Sequence, residues 1–148
     1  TWDTHADNFF HLRTHLLPEL DKMLSALLED LDQRGLLEST LVLAMGEMGR
    51  SPKWADPRVR GTKYQPGRDH WINSMFALFA GGGIRGGQVY GATDKVAGYP
   101  ITKPVWPGDI AATIYHALGI RHDELLINDR EGRRVNLLEE GEPIPLFS

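Results

Sequence analysis

The chain has 148 residues, 41% of them apolar and 24% charged, a composition typical of one globular domain with its own core. Its net charge of -4 argues against nucleic acid or an anionic membrane as a partner, and no apolar run approaches the roughly 20 residues that span a bilayer. Cysteine is absent, which excludes disulfides, thiolate catalysis and cysteine zinc sites.

Residues 8–35 predict a helical region. Its apolar face repeats at helical spacing and consists of Leu20, Leu24, Leu27, Leu28 and Leu31. Pro18 divides the region, because proline is not tolerated inside a helix: either a short helix ends near Leu17 or the long helix begins there. Gly35 is a suitable left-handed stop after the last turn.

Two apolar runs, residues 40–45 and 74–80, predict buried strands. Neither run alternates between apolar and polar, which suits central strands of a parallel sheet covered on both faces. Residues 86–91 resemble a short hairpin or edge strand. A second helix is predicted from Asp109, as N-cap, to Leu118, and the tail after Leu138 is expected to be extended and mobile. Helix followed by buried strand indicates an α/β domain.

Metal-binding side chains concentrate in the predicted loops. Asp3 and His5 precede the first helix and are suited to hold a cation together, with Asp7 nearby. Asp7 or Asn8 has the alternative role of capping that helix. Glu47 follows the first predicted strand, where it is a metal ligand, a base, or an ion-pair partner of Arg50.

The long polar loop of residues 51–72 ends in a further candidate. His70 is a metal ligand there if Asp69 holds its ring from behind, and otherwise a surface histidine in a turn. The three glycines at 81–83 lack the lysine and spacing of a phosphate loop, so they predict a tight turn. His11 and His15 lie four residues apart without the glutamate of HExxH, and we interpret them as a solvated helix face.

Four blocks, in this order, carry a family resemblance: residues 2–5 (WDTH), 46–52 (GEMGRSP), 67–71 (GRDHW) and 80–87 (AGGGIRGG). The chain resembles the C-terminal portion of the bacterial family called domain of unknown function 1501. That family in turn is similar to the alkaline phosphatase and sulfatase superfamily. The resemblance implies a doubly wound α/β/α sandwich with a largely parallel sheet and a short hairpin. Residues 1–148 would then be the C-terminal segment of one hydrolase domain.

The superfamily also implies a hydrolytic site with one or two divalent metal ions, Zn²⁺ above all. By order along the chain, Asp3 with His5 matches its first ligand set, Glu47 its second and His70 its third. Two departures weaken the match: the superfamily spaces the first pair four residues apart instead of two, and Met48 stands where a histidine should follow Glu47. The superfamily's nucleophile lies N-terminal to these sets, so no catalytic nucleophile is expected within this chain.

The sequence therefore predicts that the full-length protein is a metal-dependent hydrolase of phosphate or sulfate esters, acting on small molecules or glycans, and that the half bearing its nucleophile is missing from this chain. Asp3, His5, Glu47 and His70 would hold the metal, with Asp69 and Asp7 behind them, and Arg50 or Arg68 would bind the oxyanion. The alternative is a non-catalytic binding or scaffold module with a degenerate metal site. We also expect self-association through the apolar strand at residues 40–45. The resemblance is compatible with export from the cytoplasm, and the sequence fixes no compartment.

Overall fold

A computed structural model of the chain describes residues 2–55 and 66–147. The helical segments are α1 (Asn8–His11), a π-helical turn (Leu12–Leu16), α2 (Leu17–Gln33), a 3-10 turn (Leu37–Ser39) and α3 (Pro107–Ala117). The strands are β1 (Val42–Met45), β2 (Gly49–Arg50), β3 (His70–Trp71), β4 (Ala77–Ala80), β5 (Ala92–Thr93), β6 (Pro100–Thr102), β7 (Leu126–Asn128) and β8 (Arg134–Asn136). Residues 56–65 of the predicted polar loop lie outside the described residues. No helix in the described part of the chain has the length and apolar character needed to cross a membrane.

The predicted N-terminal helical region is present and runs without a break from α1 to the end of α2. α2 begins at Leu17, as the second of the two alternatives had it, and Pro18 lies in its first turn. The π-helical turn joins α1 to α2 directly, so the region remains continuous through the proline. Gly35 adopts a φ of 66°, the left-handed conformation expected of a helix stop.

The predicted parallel α/β/α sandwich is wrong. The strands in the described part of the chain form four two-stranded sheets, and every pair is antiparallel: β1 with β4, β2 with β3, β5 with β6, and β7 with β8. In the longest pair, Val42 lies opposite Ala80 and Met45 opposite Ala77. A non-alternating apolar run predicts a strand, but it carries no information on the direction of the neighbouring strand.

Two smaller expectations also need correction. Residues 86–91 form no strand; the hairpin instead pairs β5 with β6. The helix predicted from Asp109 begins earlier, at Pro107, and the Asp109 carboxylate accepts a hydrogen bond from the Trp106 N–H (2.8 Å). Asp109 therefore caps α3 from inside the first turn, a role that its side chain can fill from either position.

The buried core lies beneath α3. Ala112 and Thr113 are fully buried there, against Ile144 and Leu146 of the chain's last segment. That segment was expected to be mobile, but hydrogen bonds fix it: the Ile144 N–H donates to Thr113 Oγ1 (2.9 Å), and the Leu146 carbonyl accepts from the Arg85 N–H (2.8 Å). Many other large apolar side chains of the described residues remain exposed, and the β5–β6 and β7–β8 pairs are exposed throughout.

Candidate metal site

The β2–β3 pair carries the candidate site. Its register sets Arg50 directly opposite His70, so two polar side chains 20 positions apart in sequence become neighbours. The N-terminal segment lies against the approach to β3. A Cβ added to Gly67 would lie 2.5 Å from the carbonyl carbon of His5 and 2.9 Å from the Ala6 nitrogen. Glycine at this position therefore allows the backbone of His5 to approach the ladder closely.

Asp3, His5 and His70 converge at one point. The His70 Nε2 atom lies 2.7 Å from Asp3 Oδ1 in a hydrogen bond, and the His5 Nε2 atom lies 3.0 Å from the same oxygen. The centroids of the two imidazole rings are 4.8 Å apart. One ligand atom from each of the three residues lies within 4.8 Å of the others. In the described part of the chain, this is the single group of three or more such residues.

Asp69 fixes the ring of His5. Its carboxylate lies 2.8 Å from His5 Nδ1, so that nitrogen carries the proton and donates it. The sequence predicted Asp69 as the partner of His70, its neighbour in the chain; the structure pairs it with His5 instead. His5 thus faces a carboxylate through each ring nitrogen. Two arrangements satisfy both: a doubly protonated imidazolium, or a neutral ring whose Nε2 lone pair binds a cation.

Arg50 joins the cluster from β2. Its Nη2 atom donates to the Trp2 carbonyl (2.8 Å) and to Asp3 Oδ1 (3.2 Å), and its Nη1 atom donates to the Arg68 carbonyl (3.2 Å). The pKa of the Asp3 carboxyl is lowered, first by the hydrogen bond from His70 and then by the charges of the two histidines and the hydrogen bond from Arg50. Asp3 therefore stays ionised and available to a cation.

The other predicted site residues lie away from this point. Glu47 is exposed in the bend between β1 and β2 and is not part of the three-residue group, and Arg50 pairs with Asp3 rather than with Glu47. Arg68 donates to the Ser51 carbonyl (2.9 Å) and lies over the ring of Phe9. Asp7 occupies the N-cap position of α1 with a φ of 51°, and its side chain makes no capping hydrogen bond.

An open cavity of about 500 Å³ adjoins the cluster. Asp3 and His5 form one wall, and His11, His15 and Glu19 of the helical region contribute to the other. His11 and His15 were interpreted from the sequence as a solvated helix face and Glu19 was not named, although the spacing of four residues between each of them indicates a shared helix face. A second cavity of about 480 Å³, near His116 and His122, includes none of the cluster residues.

The family model described as "Protein of unknown function (DUF1501)" matches residues 1–146, so the chain belongs to the DUF1501 family. The resemblance to the DUF1501 family itself is thereby confirmed. No curated protein and no solved structure matches the chain.

Proposed function

We propose that this DUF1501 protein holds one divalent metal ion, of which Zn²⁺ suits the donors best, and uses it to hydrolyse phosphate or sulfate esters. The observation that carries the proposal is the convergence of Asp3, His5 and His70 on one point. One carboxylate and two imidazoles are the protein ligands of several catalytic zinc sites, which leave a fourth position open for water or substrate.

The residues present fit such an ion. Two ligand atoms bound to one tetrahedral Zn²⁺ at about 2.1 Å lie about 3.4 Å apart. The separations of 2.7 and 3.0 Å around Asp3 Oδ1 are shorter by about 0.7 and 0.4 Å, a difference that side-chain rotation can supply. Asp69 already sets the ring of His5 with its protonated nitrogen turned away from the cluster, as in carboxylate–histidine–zinc triads.

The chain's own residues explain why an anionic ester would bind. A divalent ion bound here supplies Lewis-acid polarisation of an ester oxygen. Arg50 contacts Asp3, one of the proposed metal ligands, and its planar guanidinium suits the binding of an oxyanion. Thr4 lies within the same cavity, but its hydroxyl accepts a short hydrogen bond from the Asn8 side chain (2.6 Å), so it is not set up as an attacking group.

The proposed similarity to the alkaline phosphatase and sulfatase superfamily is one of site chemistry. An aspartate, two histidines and an arginine around one point support it. The order of the strands does not support this similarity, because the described strands form separate antiparallel pairs.

Metal binding is tested by titrating the chelator-treated protein with Zn²⁺ in a calorimeter. We expect one ion per chain in the wild type, and an affinity at least about tenfold lower in His70→Gln, His5→Gln and Asp69→Asn, since loss of a ligand or of its supporting carboxylate has effects of this size. His122→Gln, a histidine outside the cluster, serves as the control and should match the wild type. A wild type that binds no Zn²⁺, or a His70→Gln variant that binds it equally well, would refute the metal site.

The reaction is tested separately, with nitrophenyl phosphate and nitrophenyl sulfate. Turnover that requires the metal and disappears in Asp3→Asn supports the hydrolase. The alternative, a non-catalytic binding module, is favoured by one observation: Asp3 Oδ1 has His70, His5 and Arg50 as protein partners, so side chains alone can satisfy it. Stoichiometric metal binding without turnover of either ester would decide for that module.

A further inference from the structure

The cavity beside the cluster has a second wall, which the proposed metal site does not use. His11 ends α1, His15 lies in the π-helical turn and Glu19 lies in the first turn of α2, so the three residues follow one another along the same side of the helical region. They face Asp3 and His5 across about 500 Å³, a volume within the range of small-molecule sites. π-helical turns within longer helices frequently accompany functional sites.

The two histidines of this wall are held by aromatic contacts. The Phe10 ring meets His11 and His15 edge-on, with centroid distances of 5.6 and 5.9 Å. The His11 and His15 rings themselves are 6.2 Å apart. These ring contacts place His11 and His15 next to each other on one face of the helical region.

The lining differs in chemistry from one wall to the other. The wall at Asp3 and His5 contributes two of the three candidate metal ligands, so a cation bound there would attract an anionic group; His70 and Arg50 contact Asp3 but are not among the lining residues. The opposite wall offers imidazole groups, which donate and accept hydrogen bonds, and the Glu19 carboxylate, which only accepts them and repels a second anion. Leu16 is the one large apolar side chain of the lining. A ligand that matches both walls carries its negative charge at one end and hydrogen-bond donors at the other.

We infer that this cavity is the substrate pocket and that it selects phosphate or sulfate monoesters of small hydroxylated molecules, such as polyols and sugars. His15 and Glu19 are specificity residues that bind the hydroxyl groups of the leaving group, and His11 lies beside them on the same wall. The inference rests on the proposed hydrolase, because the metal site binds the anionic end. It adds the class of the ester to that function.

The experiment compares the binding of glycerol phosphate and phenyl phosphate to the Zn²⁺-loaded protein by calorimetry. Both probes carry the same anionic end, but only glycerol phosphate brings hydroxyl groups. The wild type should bind glycerol phosphate more tightly. His15→Gln and Glu19→Gln should each weaken glycerol phosphate about three- to tenfold, the effect of one lost hydrogen bond, and leave phenyl phosphate unchanged. Glu29→Gln, an exposed carboxylate farther along α2, is the matched control and should change neither probe.

The outcomes separate this inference from the proposed function. Zn²⁺ affinity should be the same in His15→Gln, Glu19→Gln and the wild type, because neither residue belongs to the metal group. If the wild type fails to bind Zn²⁺, the proposed function fails. If Zn²⁺ binds as proposed but glycerol phosphate binds no better than phenyl phosphate, or binds His15→Gln and Glu19→Gln as it binds the wild type, the pocket assignment is overturned.

Discussion

Gly67 has no side chain, and its backbone packs against the segment that carries His5 of the candidate metal site. Replacing Gly67 by alanine tests whether the site depends on this backbone packing. The added Cβ would stand 2.5 Å from the His5 carbonyl carbon and 2.9 Å from the Ala6 nitrogen. Because carbon atoms in contact lie about 3.5 Å or more apart, the N-terminal segment must retreat by roughly 1 Å. His5 would then no longer reach Asp69 and Asp3 together, since both contacts are already at 2.8 and 3.0 Å.

We expect Gly67→Ala to lower Zn²⁺ affinity by about ten- to a hundredfold, as loss of a supporting contact to a metal ligand does. Overpacking of this kind costs about 1–3 kcal/mol of stability. In a domain of this size that corresponds to a fall of roughly 3–10 °C in Tm. Calorimetric titration gives the affinity, and thermal unfolding followed by circular dichroism gives the Tm.

Gly86→Ala is the matched control. A Cβ at Gly86 meets nothing within 4 Å, and its backbone does not require glycine, so affinity and Tm should both stay at the wild-type values. The reasoning is refuted if Gly67→Ala binds Zn²⁺ within about twofold of the wild type while remaining folded, because a displacement of roughly 1 Å in a metal ligand cannot be silent.

Two further predictions concern other parts of the molecule. The hydrogen bond from the Arg133 side chain, followed by backbone hydrogen bonds within the turn, lowers the pKa of Asp129 in the β7–β8 hairpin. Asp129 therefore stabilises the fold above its unfolded pKa of about 3.9, and this contribution is lost as the pH falls through the lower folded pKa. We expect Asp129→Asn to have a lower Tm than the wild type at pH 7 and a Tm close to the wild type below about pH 4. An equal Tm difference at both pH values would contradict this. Ile72 and Phe76, near β4, are 80% and 68% exposed, and we expect the protein to self-associate at micromolar concentration through such apolar side chains. Light scattering should show a smaller mass for Phe76→Ser than for the wild type. A monomeric wild type would be evidence against self-association.

Local features of the fold could be predicted from the sequence because short-range forces decide them. Gly35 stops a helix in the left-handed conformation, as its position after the helical run indicated, and Gly119 follows α3 in the same conformation. The strands at residues 42–45 and 77–80 lie inside the two predicted apolar runs. Their antiparallel pairing could not be predicted, since an apolar run suits either direction. The prediction of a parallel sheet came from helix-then-strand order and from the superfamily resemblance, neither of which fixes strand direction.

The candidate site could also be predicted only in part from the sequence. Asp3, His5 and His70 were named from residue type and position in loops, and they do converge. The expected reason, strand ends gathered at one edge of a parallel sheet, was wrong; the short β2–β3 ladder and the close approach at Gly67 bring them together instead. Glu47 was named by the same reasoning, but it is exposed in the bend between β1 and β2 and does not belong to the three-residue group. The contact between Asp69 and His5 could not be predicted without the fold, since 64 residues separate the two.

A divalent ion bound as proposed would change how His5 is satisfied. Among the described residues, Asp3 and Asp69 are the carboxylates in contact with His5, and Arg50 is a guanidinium in contact with Asp3. A cation at His5 Nε2 would lie beside Asp3 and would offset the negative charge of these carboxylates, so that an anionic ester could approach. Arg50 also donates to the Trp2 and Arg68 carbonyls. Those two hydrogen bonds would hold its guanidinium in place for an oxyanion even if Asp3 turned to the ion.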